Sequence, residues 1–338
     1  MTMLARVADS LYWMARAIER ADTYARLLEV SHAMTLESSD ANGAGRRTVW
    51  EPLVEITGDL EKFLTTHRRA DERSVAWFLS FSNANPNSVI SCLQRARQNA
   101  HAVRDLLPTD VWEALNAVYL DLRSWPAGRI SREGVYPFSR QVRRASALLQ
   151  GLMDQGMRHD ASWHFLRMGR YLERAEKTAR LLEVKFHLIA PSDPVVMPGA
   201  DLHQWRSLLR SVGADEAYLQ LDIGLGSPRE IARFLVVDDR FPRSVAFCLD
   251  QVSDAVDALV SGGEMLAGAT PIALIAAARE ELADETAVPW DGALGVAMDR
   301  VQRRCNDIDA AIAASCFAYP SGREGGQQRA QAARQAQN

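Results

Sequence analysis

Two short segments of the sequence carry arginine and glutamate at the same spacing. Residues 14–30 read MARAIERADTYARLLEV, and residues 168–184 read MGRYLERAEKTARLLEV. They align without a gap at an offset of 154, with 11 of 17 positions identical. Arginine presents a planar fork of donors that fits a carboxylate or a phosphate, and a glutamate can accept a proton or hold an ammonium group. The two segments therefore have the residue types to bind a small anion or to carry out acid–base chemistry.

The charged residues of the two segments are retained in pairs. Exposed arginines and glutamates exchange with other polar residues at little cost, and elsewhere the two halves of the sequence have drifted far apart. Their retention indicates a fixed role. We take Glu19 and Glu173 as the candidate catalytic residues. The candidate ligand-binding residues are Arg16, Glu19, Arg20, Arg26, Arg170, Glu173, Arg174 and Arg180.

Three interpretations of these residues remain open. The first is a solvated face in which Glu19 pairs with Arg16, and Glu173 with Arg170, along one helix, each pair contributing roughly 0.2–0.5 kcal/mol. The second is a buried Arg–Glu network where the two helices meet across a pseudo-two-fold axis. Losing one partner of such a buried pair costs about 3–5 kcal/mol. The third is a cleft in which arginines from both segments bind a carboxylate or phosphate.

Both segments lie within amphipathic helices, which we call the ER helices. Their apolar residues recur every three or four positions, the period of an α-helix with one buried face. The first stripe comprises Leu4, Val7, Leu11, Met14, Ile18, Ala21 and Ala25. The second comprises Phe165, Met168, Leu172, Ala175, Ala179, Leu182 and Phe186. The alanines would allow the helices to approach closely, and the near absence of strand-length alternation predicts an all-α fold.

A second gapless match supports a tandem duplication. FLSFSNANPNSVISCL (78–93) aligns with FLVVDDRFPRSVAFCL (234–249) at an offset of 156. The predicted architecture is a tandemly duplicated helical bundle with internal pseudo-two-fold symmetry, fused around one core. Its first repeat covers 1–155 and its second 156–318. Residues 319–338 carry no large apolar side chain except at their start and are predicted to be a disordered tail.

Two serines and two cysteines also recur at matching positions. Ser88 and Ser244 each precede an apolar run, which is the place of a helix N-cap residue. Cys92 and Cys248 follow four residues later, where a small buried thiol on a helix is expected rather than a disulfide.

Composition and motifs limit the class of protein. The net charge of −4 provides no basic excess for a nucleic-acid backbone. No apolar run approaches the roughly 20 residues of a membrane span, and no signal peptide is recognisable, so a cytoplasmic protein without a membrane partner is expected. The phosphate-binding pattern GxxxxGK[ST] is absent. Glu29 and His32 have the spacing of a di-metal ligand pair, but the other glutamates that such a site needs are not evident. We therefore expect neither a metal nor another cofactor.

The ER helices, together with NPNSVISCL and FPRSVAFCL, resemble the bacterial alpha-E family. That family is a helical domain named for its repeated Glu-Arg motif, and the resemblance extends to about residue 318. The motif residues that carry over are Glu19, Arg20, Glu173 and Arg174. Members are typically encoded beside a circularly permuted ATP-grasp ligase and a transglutaminase-like peptidase, which the resemblance implies as partners.

The resemblance and the Arg–Glu residues together leave three possible functions. The first is an accessory or substrate-holding partner of an ATP-grasp amide or peptide ligase, not itself binding ATP. The second is an enzyme that acts on a small peptide or an acyl-phosphate intermediate through Glu19 or Glu173. The third is a structural adaptor whose Arg–Glu network only fixes the geometry of the helices.

Overall fold

The chain is helical throughout the part that the computed structural model describes, which is residues 3–39, 50–125, 129–189, 198–221, 227–265, 270–284 and 294–317. The predicted all-α class is confirmed for these residues, which contain no strand. The helices are α1 (Ala5–Ser39), α2 (Trp50–Thr57), α3 (Leu60–Thr66), α4 (Glu72–Ser80), α5 (Val89–Ala102), α6 (Thr109–Arg123), α7 (Arg129–Glu133), α8 (Val135–Gly156), α9 (Ala161–Ile189), α10 (Pro198–Val212), α11 (Asp215–Leu219), α12 (Pro228–Val237), α13 (Val245–Ser261), α14 (Thr270–Ala283) and α15 (Leu294–Cys316). A single 3₁₀ turn in this part spans Arg104–Leu106.

The two ER helices, α1 and α9, form the centre of the molecule. They pack against each other, and α1 also contacts α5, α8 and α10, whereas α9 contacts α13 and α15. One continuous apolar core includes residues from both halves of the chain. The proposed repeat boundary at residue 155 falls at the end of α8. That boundary and the pseudo-two-fold axis stay predictions, and the predicted tail lies outside the described residues.

The apolar stripes of the ER helices are buried as expected, except at one end. Leu4 is 69% exposed and Val7 is half-buried, but the stripe from Leu11 onward is fully covered. The second stripe is buried from Phe165 to Leu182, and the side chain of Phe186 lies outside those described. The charged faces are covered too, because α1 and α9 turn these faces toward each other. The solvated-face interpretation is therefore wrong.

The ER helices approach so closely that one position in the contact must be glycine. A Cβ atom built on Gly169 would overlap the carbonyl oxygen of Tyr12 on the facing helix. Gly169 aligns with Ala15 in the duplication, so the closer approach is made from one side only. The alanines expected at this contact are all buried: Ala21, Ala25, Ala175 and Ala179.

The predicted N-caps are confirmed in both halves. Ser88 Oγ accepts a hydrogen bond from the backbone N–H of Ser91 at 3.3 Å, and Ser244 Oγ accepts one from Phe247 at 3.0 Å. Helices α5 and α13 therefore begin at matching positions. The residue before each cap, Asn87 or Arg243, is thereby placed at the end of a turn that faces the ER helices. The two cysteines of these helices, Cys92 and Cys248, are buried free thiols, as expected.

Candidate functional site

The glutamate of each ER helix binds the arginine of the other helix's ER motif. Arg20 donates through Nε to Glu173 Oε1 (2.6 Å) and through Nη2 to Glu173 Oε2 (2.9 Å). Arg174 donates through Nε to Glu19 Oε1 and through Nη2 to Glu19 Oε2, both at 2.8 Å. Each guanidinium presents its two-donor edge to a carboxylate, a strong and directional geometry. The two ER helices are thus cross-linked by a reciprocal pair of forks.

The remaining Nη1 donors of these arginines reach the turns before α5 and α13. Arg20 Nη1 donates to Asn87 Oδ1 at 2.8 Å, and Arg174 Nη1 donates to the backbone oxygen of Pro242 at 3.0 Å. The N-capping serines fix both turns, so the helix starts determine where these acceptors lie. The second motif of the duplication, around NPNS and FPRS, therefore positions the ER motif of its own half.

Each ER glutamate has a third cationic donor, but the two donors come from different places. Arg16, on the facing ER helix, donates through Nε to Glu173 Oε2 at 2.8 Å. Arg243, in the turn before α13, donates through Nη1 to Glu19 Oε1 at 2.9 Å. Lys177 Nζ lies 3.8 Å from Glu173 Oε1. Both carboxylates are therefore surrounded by positive charge.

Arg16 connects the centre of the network to two further carboxylates. Its Nη2 donates to Glu176 Oε2 at 2.9 Å and its Nη1 donates to Asp309 Oδ1 at 2.5 Å. The hydroxyl of Tyr12 donates to the same Asp309 oxygen. The guanidinium carbon lies over the ring of Trp13, 5.0 Å from the ring centre. With all three nitrogens hydrogen-bonded to carboxylates, this arginine, only 1% exposed, has no room to receive a ligand.

Arg170 is the counterpart of Arg16 and meets a counterpart of Asp309. Its Nη1 lies 3.4 Å from both carboxylate oxygens of Asp154. Asp154 and Asp309 are separated by 155 residues, which is the repeat length. The side chain of Asp154 is 45% exposed, so its pairing with Arg170 contributes less than the buried one.

Burial and positive charge act in opposite directions on the ER carboxylates. Burial by itself raises the pKa of Glu19, but the guanidiniums of Arg174 and Arg243 outweigh it and lower the pKa to about 2. For Glu173 burial again raises the pKa, and Arg20, Arg16 and Lys177 lower it well below its ordinary value. Both glutamates are therefore ionised at neutral pH. A carboxylate that acts as a general base at neutral pH needs a pKa shifted upward instead.

Arg26 and Arg180 lie at the outer ends of the network, each against a glycine of the other half. Arg26 donates through Nε to Asp22 Oδ2 at 2.8 Å. A Cβ on Gly213 would come within 2.7 Å of Arg26 Nη1, and a Cβ on Gly58 would come within 2.8 Å of Arg180 Nη2. These glycines are 155 residues apart and both have positive φ, at the end of a helix. The arginine ends therefore lie over matching helix ends.

Two cavities adjoin the network. One of about 20 Å³ is lined by Arg174, Lys177 and Arg243 among others and has the size of about one water molecule. The other, of about 290 Å³, is lined by Arg26 and by residues of α1, α8, α10 and α11. Of the candidate ligand-binding residues, Arg26 alone among the side chains described here reaches this larger space.

The contacts correspond to the buried-network interpretation. The expected pairs along one helix, Glu19 with Arg16 and Glu173 with Arg170, are wrong, because each glutamate faces the other ER helix. Five of the eight candidates form the two forks and the Arg16 contact: Arg16, Glu19, Arg20, Glu173 and Arg174. Arg170, Arg26 and Arg180 lie farther out. A catalytic role for Glu19 or Glu173 stays a prediction.

Several residues of the network were not among the candidates. Asp154 and Asp309 were missed, although they are 155 residues apart and a comparison of the two halves could have found them. Asn87 and Arg243 occupy matching places but differ in type, so the comparison passes over them. Asp22 and Glu176 were also missed, and they align with each other as different acids.

The possible metal ligands on α1 point to different partners. Glu29 accepts a hydrogen bond from Arg143 Nη1 at 2.7 Å, and His32 Nδ1 lies 2.6 Å from Glu72 Oε1. Across the described ranges, no group of three or more histidines, cysteines, aspartates or glutamates is arranged to hold a metal ion. The Glu-x-x-His spacing on this helix thus reflects two separate contacts.

A family model matches residues 3–317, nearly the whole chain. Its description is a predicted alpha-helical domain with a conserved ER motif. The chain belongs to the Alpha-E family. In this Alpha-E chain the residues of the two ER motifs form the reciprocal forks between α1 and α9. None of its described helices is both long enough and apolar enough to cross a membrane.

The Alpha-E chain also matches curated proteins of mycobacteria. Uncharacterized proteins of Mycobacterium tuberculosis and Mycobacterium bovis are each 24% identical to it over 336 residues. The match covers 94% of this chain but 37% of each relative, so the chain spans little more than a third of their length. No solved structure is significantly similar to it.

Proposed function

We propose that this Alpha-E chain is an accessory partner of an ATP-grasp amide or peptide ligase, holding substrate without binding ATP and without using its ER glutamates as catalysts. The observation that carries the last point is the state of the two carboxylates. Each is buried and accepts three arginine hydrogen bonds, and its pKa is lowered rather than raised. A glutamate so engaged is a fixed counter-charge.

The accessory role has two further supports. The sequence lacks the GxxxxGK[ST] phosphate loop, so ATP chemistry is assigned to a partner. The mycobacterial relatives carry this helical unit together with much additional sequence on one chain. Because this unit is joined to other sequence in its relatives, we infer that it works together with another protein or domain. The ligase and the transglutaminase-like peptidase are the partners that the family resemblance suggests.

The network itself would then serve to fix the geometry of the two halves. A buried ion pair is weak evidence for stability, but it specifies how two helices are oriented, because any other register leaves charges unpaired. Here the forks join α1 to α9, and around them pack the helices of both halves. We infer that the ER motifs hold the surfaces that meet the ligase or its substrate in one fixed arrangement.

Mass spectrometry of the ligase products tests this proposal. An ATP-grasp ligase from the same organism is incubated with ATP and candidate substrates, with and without the purified chain. Variants Glu19→Gln and Glu173→Gln, first shown to be folded by circular dichroism, are compared with Glu113→Gln on an exposed face of α6. We expect one product to need the chain and every folded variant to support it.

Two other outcomes would replace the proposal. If the ligase makes the same products at the same rate without the chain, the accessory role is wrong and a structural adaptor is favoured. If a folded Glu19→Gln or Glu173→Gln chain abolishes the product while Glu113→Gln retains it, an ER carboxylate takes part in the chemistry and the enzyme alternative is favoured.

A further inference from the structure

The larger cavity beside the network is an open cleft with charged walls. It has a volume of about 290 Å³ and lies between α1, α8 and the α10–α11 turn. The ionisable residues that line it are Arg26, Glu29, Arg143, Arg210, Asp215 and Glu216. This volume is at the lower end of the range for ligand pockets, roughly 300–1,000 Å³. It suits an amino acid or a dipeptide better than a nucleotide.

Two arginines of the cleft have donors that the surrounding carboxylates do not use. Arg143 gives Nη1 to Glu29, but its Nε is buried and has no hydrogen-bond partner among the described residues. Arg26 gives Nε to Asp22, and Asp22 is shared with Arg243. A buried N–H without a partner is costly, and the Arg143 side chain, which is 37% exposed, can turn to bring this N–H to an acceptor on a ligand. One edge of Arg143 is the same two-donor edge that binds carboxylates in the ER forks.

The charges around Arg26 also favour an added anion. Burial is the main cause that lowers the pKa of Arg26, and the neighbouring Arg243 and Arg143 lower it further against the effect of Asp22. The guanidinium is therefore less neutralised by its surroundings than those of Arg20 and Arg174. An incoming carboxylate between Arg26 and Arg143 would supply the missing counter-charge.

The α10–α11 side of the cleft carries a carboxylate that can receive a cation. Asp215 is occupied, since Arg206 Nε and Arg210 Nε lie 3.3 and 3.5 Å from its oxygens. Its neighbour Glu216 is exposed and has no ion-pair partner within the described part of the chain. The lining of the cleft thus includes both arginines with unused donors and one carboxylate without an ion-pair partner among the described residues.

We propose that this cleft binds a small zwitterion, an amino acid or a dipeptide, with its carboxylate between Arg26 and Arg143 and its ammonium group near Glu216. The choice of an amino acid or peptide rests on the proposed function, since an amide ligase needs such a substrate. The site itself rests on the cleft and its unpaired donors. Arg143, with its buried Nε, is the residue on which recognition of the carboxylate depends most.

The corresponding place in the second half lacks the same chemistry. Glu183 aligns with Glu29, but it accepts a hydrogen bond from Gln302 instead of from an arginine. Arg180 aligns with Arg26 and has a buried Nε without a partner in the described structure. Because the glutamate here is met by the uncharged amide of Gln302 and not by a guanidinium, this second place is a poorer carboxylate site. One molecule of ligand per chain is therefore expected.

Thermal shift and calorimetry on the purified chain test the cleft without any ligase. The probes are the free amino acids and the dipeptides Ala-Ala and Ala-Glu. The tightest-binding probe is then compared with its C-terminal amide and its N-acetyl form. The variant Arg143→Gln removes the carboxylate donor, and Arg144→Gln, next to it on α8 but exposed, is the matched control. The variant Glu216→Gln removes the ammonium acceptor.

We expect one probe to bind with a stoichiometry of about one. Arg143→Gln should weaken it about tenfold to a hundredfold, as for loss of charged hydrogen bonds, and Arg144→Gln should not. The C-terminal amide should bind weakly to every chain. Glu216→Gln should weaken the free probe but not its N-acetyl form. No binding by any probe, equal loss in Arg143→Gln and Arg144→Gln, or equal binding of acid and amide would each overturn the proposal.

The ligase assay separates this site from the accessory role. If no probe binds but the ligase product still needs the chain, the cleft proposal fails and the partnership stands. The other outcome is that a probe binds through Arg143 while the Arg143→Gln chain still supports the full rate of product formation. In that case the cleft is a binding site, but the proposal that it holds substrate for the ligase is wrong.

Discussion

The two ER carboxylates have the same two-donor contact and different surroundings. Glu173 and Glu19 each accept both donors of an arginine from the opposite helix. For Glu173 the third donor, Arg16, belongs to the same opposite helix. For Glu19 it is Arg243, which comes from the turn before α13. The forks are therefore alike in the two halves, and the third contact differs.

This difference indicates which part of the network the architecture requires. Asn87 stands in the first half where Arg243 stands in the second, and it accepts from Arg20 instead of donating to a glutamate. Arg170, the counterpart of Arg16, has moved out to the exposed Asp154. In both halves the arginine of one ER motif binds the glutamate of the other. The additional positive charge comes from residues at unrelated positions, Arg16 for Glu173 and Arg243 for Glu19. We infer that the forks set the geometry and the third donors adjust the charge.

The largest effect is expected from Glu173→Gln. The change leaves Arg20 without a carboxylate in a buried site, where Asn87 is its other acceptor. Breaking a buried pair on one side costs about 3–5 kcal/mol, because the remaining charge is uncompensated. The free energy of unfolding in urea should fall by that amount. Glu19→Gln should cost a similar amount, since it strands Arg174 in the same way.

The matched control for these variants is Glu113→Gln, on the exposed side of α6. It makes the same chemical change and should alter stability by less than about 0.5 kcal/mol. If Glu173→Gln or Glu19→Gln behaves like this control, the forks do not set the geometry of the halves. A large effect in one variant alone would mean that the two forks are not equivalent.

Acid should remove the contribution of Glu19 with a defined sign. Its pKa in the folded chain, about 2, lies below that of an unfolded glutamate, about 4.3, so folding favours the ionised form. The stability it contributes is complete above about pH 4.3 and is lost as the pH falls toward 2. This shift corresponds to a contribution of about 3 kcal/mol.

Urea unfolding of the wild type and of Glu19→Gln, repeated between pH 7 and pH 2, measures this dependence. Glutamine does not titrate, so the gap in unfolding free energy between the two chains should narrow as the pH falls below 4.3. The gap for Glu113→Gln should stay small at every pH. A gap for Glu19→Gln that does not change with pH would contradict the arginine contacts described for this carboxylate.

The elements of the fold could be predicted because their signals are local. The apolar stripe from Leu11 to Ala25 has the helical period, and Ser88 and Ser244 have the type and position of N-caps. These features depend on contacts within a few residues along the chain, so the local sequence is enough to predict them. The stripe failed at Leu4, which precedes the first residue of α1 and is 69% exposed.

The partners within the site could not be predicted, because they depend on how distant helices meet. Adjacent residues on a helix point about 100° apart, so Arg20 cannot pair with Glu19 beside it. The helical geometry excludes the neighbour as a partner but does not identify Glu173, more than 150 residues away. Arg243 and Asp309 lie in a turn and a late helix whose positions are fixed only by packing. A solvated face, a buried network and a ligand-binding cleft therefore all remained open from the sequence, and the packing of α1 against α9 is what distinguishes them.

Replacing Arg243 by asparagine tests the inference that third donors only adjust charge. Arg243→Asn gives the second half the residue that the first half has at Asn87. Glu19 keeps both donors of Arg174, and Asp22 keeps Arg26. The loss should be about 2 kcal/mol, the size of a charged hydrogen bond, and smaller than that of Glu19→Gln.

The measurement is again urea unfolding, with Arg240→Asn as the control, an arginine in the same turn whose side chain is 93% exposed. The control should change stability by less than about 0.5 kcal/mol. If Arg243→Asn destabilises the chain as much as Glu19→Gln does, the third donor is as necessary as the fork, and the distinction between them is wrong.

The smallest effect is expected for alanine substitutions at the helix ends that lie under Arg26 and Arg180. Gly58, Gly213 and Gly263 all have positive φ, so alanine at any of them costs roughly 1–2 kcal/mol of backbone strain. Gly263 has nothing within 4 Å of a built Cβ and measures that strain alone.

At the other two glycines the added methyl group would also meet an arginine. Arg26 is tied to Asp22 and cannot yield easily, whereas the Nε of Arg180 has no partner in the described structure and its side chain can turn aside. Gly213→Ala should therefore cost about 1 kcal/mol more than Gly263→Ala in urea unfolding, for a crowded contact with a fixed side chain. Gly58→Ala should match Gly263→Ala. Equal costs at Gly58 and Gly213 would show that the two outer arginines are held alike, and the difference between the halves would then be confined to the third donors.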